Sequence, residues 1–277
     1  MIDSGLMFPD VDSLVEQIAN GDKVVIPATR SGVAMEATRA LVRRGVKDLH
    51  LVATPAAGLQ ADLLIGAGCV AVMESAGITL DEYGQAPAFG RAVTTSAIKV
   101  MDTTCPAVLA ALQASEKGIP FIPLRGLIGS DLVRYRDDYK VIDNPFAEDD
   151  PVVLLPAIVP DVALFHAPMA DRNGNVWIGK QMELKMISHA AKKTIVTVEE
   201  FYDGNLLADD RMAAGTVPAL YVSGIALAEK GAWPLGLPGA YDVDGDHMAK
   251  YAGLARTEDG FAQYLMNHVQ TVQAAAE

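Results

Sequence analysis

The sequence predicts an α/β protein: an open, mainly parallel sheet covered by helices on both faces. Three observations carry that expectation. Short β-branched or Leu-rich runs alternate with longer Ala-rich stretches at helical spacing. The strand-like runs are apolar throughout rather than alternating, as strands buried on both faces are. The chain has 277 residues, 51% apolar and 21% charged, with no low-complexity tract. That suits one sizeable core and excludes disordered and fibrous classes. One domain over residues 1–277 is expected.

Each element has its own local reason. Residues 10–19 place Val11, Leu14, Val15 and Ile18 on one helical face behind an Asp cap. Residues 23–27 read as the first strand. Residues 32–44 read as a helix whose Arg39, Arg43 and Arg44 gather at its end before Gly45 stops it. Residues 48–53 and 69–73 are the second and third strands. Pro106 suits a first helical turn, 108–117 follows, Gly118 closes it, and 120–123 is extended. Strands are also expected at 152–155, 162–166, 176–178 and 194–198, with Asn173-Gly174 marking a hairpin between the middle two. Residues 183–191 and 258–276 complete the helices. The Pro- and Asp-rich stretch 137–151 reads as a surface excursion inside one fold.

Lys and Arg number 22 against 35 Asp and Glu, a net charge of −13. Such a chain is a poor generic partner for nucleic acid or anionic membranes, though a few donors can still hold a small anion. The two cysteines, Cys69 and Cys105, form no CxxC or Cys/His cluster, which fits reduced thiols in a cytosol. Met1–Ser4 has no basic n-region or apolar h-region, and the longest apolar stretches are about 11 residues, too short for a bilayer. A cytoplasmic protein is expected.

Several motifs fail on inspection. Gly66-Ala67-Gly68-Cys69-Val70-Ala71 matches GxGxxG/A, but the glycines precede a strand instead of linking a strand to a helix. A tight turn is the better reading. Asp242-Val243-Asp244-Gly245-Asp246 resembles a calcium loop, but His247 and Gly253 stand where Gly and Glu are needed. The five histidines show no metal-binding spacing, and His166 reads as a satisfied core residue. No metal site is expected.

What remains are the loops after the parallel strands, where open α/β sheets place ligands. Thr29, Arg30, Ser31 and Gly32 follow the first strand, Thr54 closes the second, and Glu74, Ser75 and Gly77 follow the third. Small residues allow backbone approach, and a helix N-terminus can hold an oxyanion. Arg125, Gly129 and Ser130 form a Gly-hinged loop with a cation, and Glu199 closes the 194–198 strand.

The chain resembles the A subunits of family I coenzyme A transferases, of the glutaconate and 3-oxoacid kind. The likeness is carried by Asp62-Leu63-Leu64-Ile65-Gly66-Ala67-Gly68-Cys69-Val70, by Glu82-Tyr83-Gly84-Gln85-Ala86-Pro87-Ala88-Phe89-Gly90-Arg91 and by Gly118-Ile119-Pro120-Phe121-Ile122-Pro123-Leu124-Arg125-Gly126. Ala170-Asp171-Arg172-Asn173-Gly174-Asn175-Val176 and Lys192-Lys193-Thr194-Ile195-Val196-Thr197-Val198-Glu199-Glu200 continue it in the family's order. The resemblance implies a subunit that moves CoA between an acyl-CoA and a free carboxylic acid, in a heterodimer or heterotetramer with a B subunit. It implies coenzyme A as substrate and no tightly bound cofactor. In this family a B-subunit glutamate attacks the thioester, giving an acyl anhydride and then a glutamyl-CoA thioester. Two departures stand out. The first loop is Ala28-Thr29-Arg30-Ser31-Gly32 where such subunits are commonly Gly-Gly-Phe-Gly-like. No Ser-Glu-Asn-Gly or Glu-x-Gly is present, Glu74-Ser75-Ala76-Gly77 being the nearest approach. Glu74 is thus the chain's own nearest nucleophile candidate, a pocket-lining or structural carboxylate being the favoured reading and the main nucleophile being expected on the partner. Related pairs also include ring-opening CoA-thioester hydrolases that use an A-subunit carboxylate, for which Asp102 is the available acid. A non-catalytic CoA-ester sensor on the same fold is the third reading.

Overall fold

The computed structural model describes residues 5–270. Asp10 caps α1 (Val11–Val15), its carboxylate accepting the Ser13 N–H at 2.7 Å. The chain then runs through β1 (Lys23–Pro27), α2 (Met35–Arg44) and β2 (Leu49–Thr54). Gly45 ends α2 in the left-handed region at φ 72°, where a Cβ would be strained. Next come β3 (Ala56–Ala57), α3 (Leu59–Gly66), β4 (Val70–Ser75), β5 (Gly77–Ile78), α4 (Pro87–Thr94) and β6 (Lys99–Asp102). After α5 (Cys105–Glu116), the strands β7 (Phe121–Leu124), β8 (Lys140–Asp143) and β9 (Pro151–Pro156) form a separate antiparallel sheet, with α6 (Leu132–Tyr135) between β7 and β8. The chain returns through β10 (Val162–Asp171), β11 (Val176–Trp177), α7 (Met182–Ala190), β12 (Lys193–Tyr202), β13 (Thr216–Val217) and β14 (Gly224–Leu227). α8 (Gly245–Leu254) and α9 (Glu258–Leu265) close the described chain.

The main sheet runs β14-β12-β10-β1-β2-β4-β6, every pair parallel. All seven strand ends that carry loops onward therefore lie along one edge. Alternate residues feed two cores: Val24, Ile26 and Leu51 pack with α2 and α3, while Val25 and Val52 pack with α5 and α7. That is the two-faced covering the apolar runs predict. The 173–174 hairpin is present, with the buried Asp171 carboxylate accepting the Asn173 and Asn175 N–H groups (2.9 and 3.0 Å) and turning β10 back into antiparallel β11.

Helix α5 serves two sheets. Val108, Ala111 and Leu112 face the main sheet, and Ala107 and Ala110 face the antiparallel lobe with Leu127, Tyr139, Val153 and Leu155. Its alanines let backbones approach on both sides. The stretch 137–151 contains β8 and the turn that joins it to β9, in register Val141↔Val153.

The elements the sequence reading missed include α3, α4, α8, β6 and β14. Leu59, Ala61, Asp62, Leu63, Leu64 and Ile65 are all buried, so α3 has no polar face to show a helical period. β6 is an edge strand with an exposed–exposed–intermediate–exposed pattern and no apolar run. The helix expected at 32–44 starts only at Met35, and that expected at 258–276 ends at Leu265, with Met266–Gln270 in a wider π turn. Residues 271–276, like Met1–Ser4, lie outside the described ones. Among the described residues no helix is long and apolar enough to cross a membrane.

Candidate active site

The loop after β1 is the centre of the carboxyl edge, and its residues are fastened to several different elements. Ala28 N–H donates to Glu183 Oε1 of α7 at 3.2 Å. Thr29 packs so closely on Gly58 that a Cβ there would lie 2.6 Å from Thr29 Oγ1. Arg30 reaches Glu82 Oε2 at 2.8 Å and Asp81 Oδ2 at 3.4 Å. Ser31 hydrogen-bonds Glu183, whose carboxyl burial pushes above its ordinary pKa despite that contact. Gly32 accepts the His166 N–H at 2.7 Å. Its φ is +81°, and an added Cβ would sit 2.2 Å from the His166 carbonyl oxygen, so only glycine fits.

Neighbouring strand ends complete the edge. Thr54 is fully buried and donates Oγ1–H to the Ile26 carbonyl at 3.0 Å, which locks β2 to β1. Ser75 is buried at the end of β4, and Gly77 pairs with Ala56 in the two-stranded β3–β5 sheet. Asp102 ends β6, its Oδ1 accepting the Thr103 N–H at 3.0 Å. Arg125, Gly129 and Ser130 belong instead to the antiparallel lobe. Arg125 forks onto Asp150 at 2.7 and 2.5 Å, Ser130 Oγ donates to the Leu127 carbonyl at 2.8 Å, and Gly129 turns at φ +81°. Both arginines that the sequence singled out are thus engaged by carboxylates of this chain.

Glu74 lies on β4, buried, between His50 Nε2 at 3.1 Å and the Arg136 guanidinium at 2.8 Å. Burial alone would raise its pKa, but the hydrogen bond from His50 and the Arg136 charge outweigh it and hold the carboxyl below its ordinary value. Arg136 also binds Asp138 at 2.8 Å and the Asp102 carbonyl at 3.1 Å, and stacks over Tyr139 at 4.3 Å. Tyr139 OH in turn meets Thr103 Oγ1 at 3.0 Å. One carboxylate therefore fastens the antiparallel lobe to the parallel sheet.

Glu199, at the far side of the first loop, is equally occupied. Its Oε1 accepts from His166 Nε2 (2.7 Å), Tyr241 OH (2.6 Å) and Gly231 N–H (3.1 Å), and its Oε2 accepts the Lys230 N–H (2.7 Å). These bonds outweigh burial and lower its pKa too. His166 is wholly buried, with Nδ1 2.9 Å from Thr197 Oγ1. It is the satisfied core histidine expected, yet its backbone carries Gly32. His50, Arg136, Glu183 and Tyr241 were not found from sequence. Each lies far along the chain from the residue it serves, so no local spacing marks it.

A coenzyme A transferase family model matches residues 9–226. The chain is 30% identical over 272 residues to the A-type half of the 3-oxoadipate CoA-transferase of Pseudomonas knackmussii, covering 95% of this chain and 93% of that one. An uncharacterized protein of Archaeoglobus fulgidus is 33% identical over 243 residues, and there this chain spans only 54% of the relative's length. The crystal structure of glutaconate coenzyme A-transferase from Acidaminococcus fermentans superposes with a TM-score of 0.89 at 26% identity, over 96% of this chain and 89% of that one.

Proposed function

The chain belongs to the coenzyme A transferase family, and on that premise we propose that it is the A-type half of a heteromeric enzyme. It moves CoA between an acyl-CoA thioester and a free carboxylic acid, and the attacking glutamate comes from a B-type partner. The carrying observation is that both oxygens of Glu74 and both of Glu199 already accept hydrogen bonds within this chain. A carboxylate nucleophile needs a free lone pair aimed at the thioester carbon. Lone pairs remain on both, but neither is free to turn toward an incoming thioester. Glu74 is buried and clamped by Arg136 and His50, and Glu199 is held by four donors.

The partner's carboxylate adds to the thioester carbonyl and expels CoA thiolate, leaving a mixed anhydride. The thiolate then attacks the glutamyl carbonyl of that anhydride, releasing the first acid and forming a glutamyl-CoA thioester. The second acid reverses both steps. In this scheme the present chain shapes the acyl side: Gly32 holds the first loop flat against β10, and Thr29 and Ser31 fix its turn. The antiparallel lobe supports a partner on this side of the molecule. It exposes Phe121, Ile128, Tyr135, Val141 and Phe146, large apolar side chains that a subunit interface would cover. Coenzyme A is then a substrate, and the free thiols Cys69 and Cys105 suit a cytoplasmic setting.

Borohydride reduces glutamyl thioesters and so marks the attacked residue. Incubation of the isolated chain with acyl-CoA and borohydride leaves every glutamate intact, whereas the complex with the B-type chain gives a reduced glutamate on the partner. A reduced Glu74 in the isolated chain would overturn the assignment.

A further inference from the structure

Strand β1 leaves β10 after Ala163, and β11 joins the same side of β10 only at Met169. The loop after β1 fills the gap through the Gly32–His166 bond, and above it lies a cavity of about 340 Å³. Its walls include Pro168, Trp177, Ile178, Leu184 and Leu237, and Lys180 contributes to its lining from an exposed position. Ile178, Leu184 and Leu237 are at most 2% exposed, so the walls are set by the core. Gly179, at φ +59°, turns the chain over the Trp177 ring and delivers Lys180.

The charges there are asymmetric. Among the described residues no carboxylate pairs with Lys180, unlike Arg30 and Arg125. His166, the other basic residue of the lining, has Nδ1 on Thr197 and Nε2 on Glu199 and offers no proton inward. An occupant thus meets one ammonium from an exposed position, the half-buried Gln181 amide and otherwise mostly hydrocarbon, with no second unpaired cation among the described lining residues. A second anionic group placed among Leu184, Pro168 and Leu237 would be buried without a partner, which is strongly unfavourable.

We propose that this cavity binds the hydrocarbon body of a monocarboxylic acid, with Lys180 holding the carboxylate at the mouth. The inference rests on the reading that the chain handles a free carboxylic acid, and it narrows that acid to an apolar, singly charged one. At the roughly 30 Å³ that a water-sized group occupies in liquid, the space holds about eleven heavy atoms. Octanoate and adipate both have ten and differ in the second carboxylate.

The lining residues named here all belong to this chain, so the full chain without partner is titrated with each acid, following Trp fluorescence and heat. Octanoate binds and adipate binds at least about tenfold more weakly. Lys180→Met weakens octanoate about tenfold, the loss of one charge-assisted contact, while Lys180→Arg restores most of it. Equal or tighter binding of adipate overturns the proposal, as does no binding of octanoate or unchanged affinity in Lys180→Met. The outcome is independent of borohydride trapping. Octanoate binding without a reduced partner glutamate would sink the transferase reading and leave the cavity assignment standing.

Discussion

Glu74 and Glu199 are both glutamates on parallel strands, both in contact with a histidine and both held ionised, yet they are neutralised by different means. Glu74 faces a full guanidinium charge in a site where its side chain is 3% exposed and that of Arg136 7%. Glu199 faces backbone N–H groups and a tyrosine hydroxyl, and its side chain is 18% exposed. The first arrangement clamps two sheets together. The second gathers the segment 230–241 around a strand end beside the cavity. A buried charge pair is stiff because neither partner tolerates being alone, whereas dipoles can be lost one at a time.

The sharpest way to break that contrast is Arg136→Met. It strands Glu74 in the interior with only His50, and should cost about 3–5 kcal/mol, read as a lowered midpoint in thermal or urea unfolding. Adding Glu74→Gln should recover part of the loss. Tyr241→Phe removes one of several donors to Glu199 and should cost only about 0.5–1.5 kcal/mol. Equal losses would erase the distinction.

Acid sharpens it further. Both carboxyls have folded pKa values below the ordinary one, so their contribution is complete above pH 4.5 and is lost as pH falls through the depressed values. His247 acts higher. Burial pushes it down to about 4 from 6.5, so its neutral form favours folding above 6.5 and stability falls as pH drops from 6.5 towards 4. Urea melts should therefore show two acid limbs, the upper flattened in His247→Phe and the lower in Glu74→Gln. A single limb unaffected by either variant would contradict these assignments.

The smallest effects belong to Arg30→Met and Arg125→Met. The side chains are 71% and 69% exposed, so solvent screens both ion pairs and the unfolding midpoint should hardly move. A large drop in either would make that pair structural.

The parallel sheet was legible because strands buried on both faces leave unbroken apolar runs, as at Val24, Val25 and Ile26. The hairpin was legible from Asn173-Gly174 alone. The first loop was visible as small residues between a strand and a helix, but its anchoring was not. Glu183 lies 155 positions from Ala28, and Arg136 lies 62 positions from Glu74. Pairings over such distances are set by the topology of the sheet, which no local period encodes. The two arginines were singled out for their charge, and only the fold shows Asp81, Glu82 and Asp150 beside them. Lys180 drew no notice in the sequence because a lone lysine after a glycine resembles any surface turn.

The antiparallel lobe has β7 and β8 as its two outer strands, each with one side open. An open strand side is a template on which a second copy can add itself, and long concentrated storage would favour such stacking. Pro123 sits inside β7 and has no N–H to offer, while Lys140 and Asp143 bracket the four residues of β8 with charge. The broad apolar face of the lobe can thus remain sticky for a different neighbour while its rims discourage ribbons of identical molecules. Selectivity of assembly here is a matter of which direction is blocked, and three side chains on two short strands decide it.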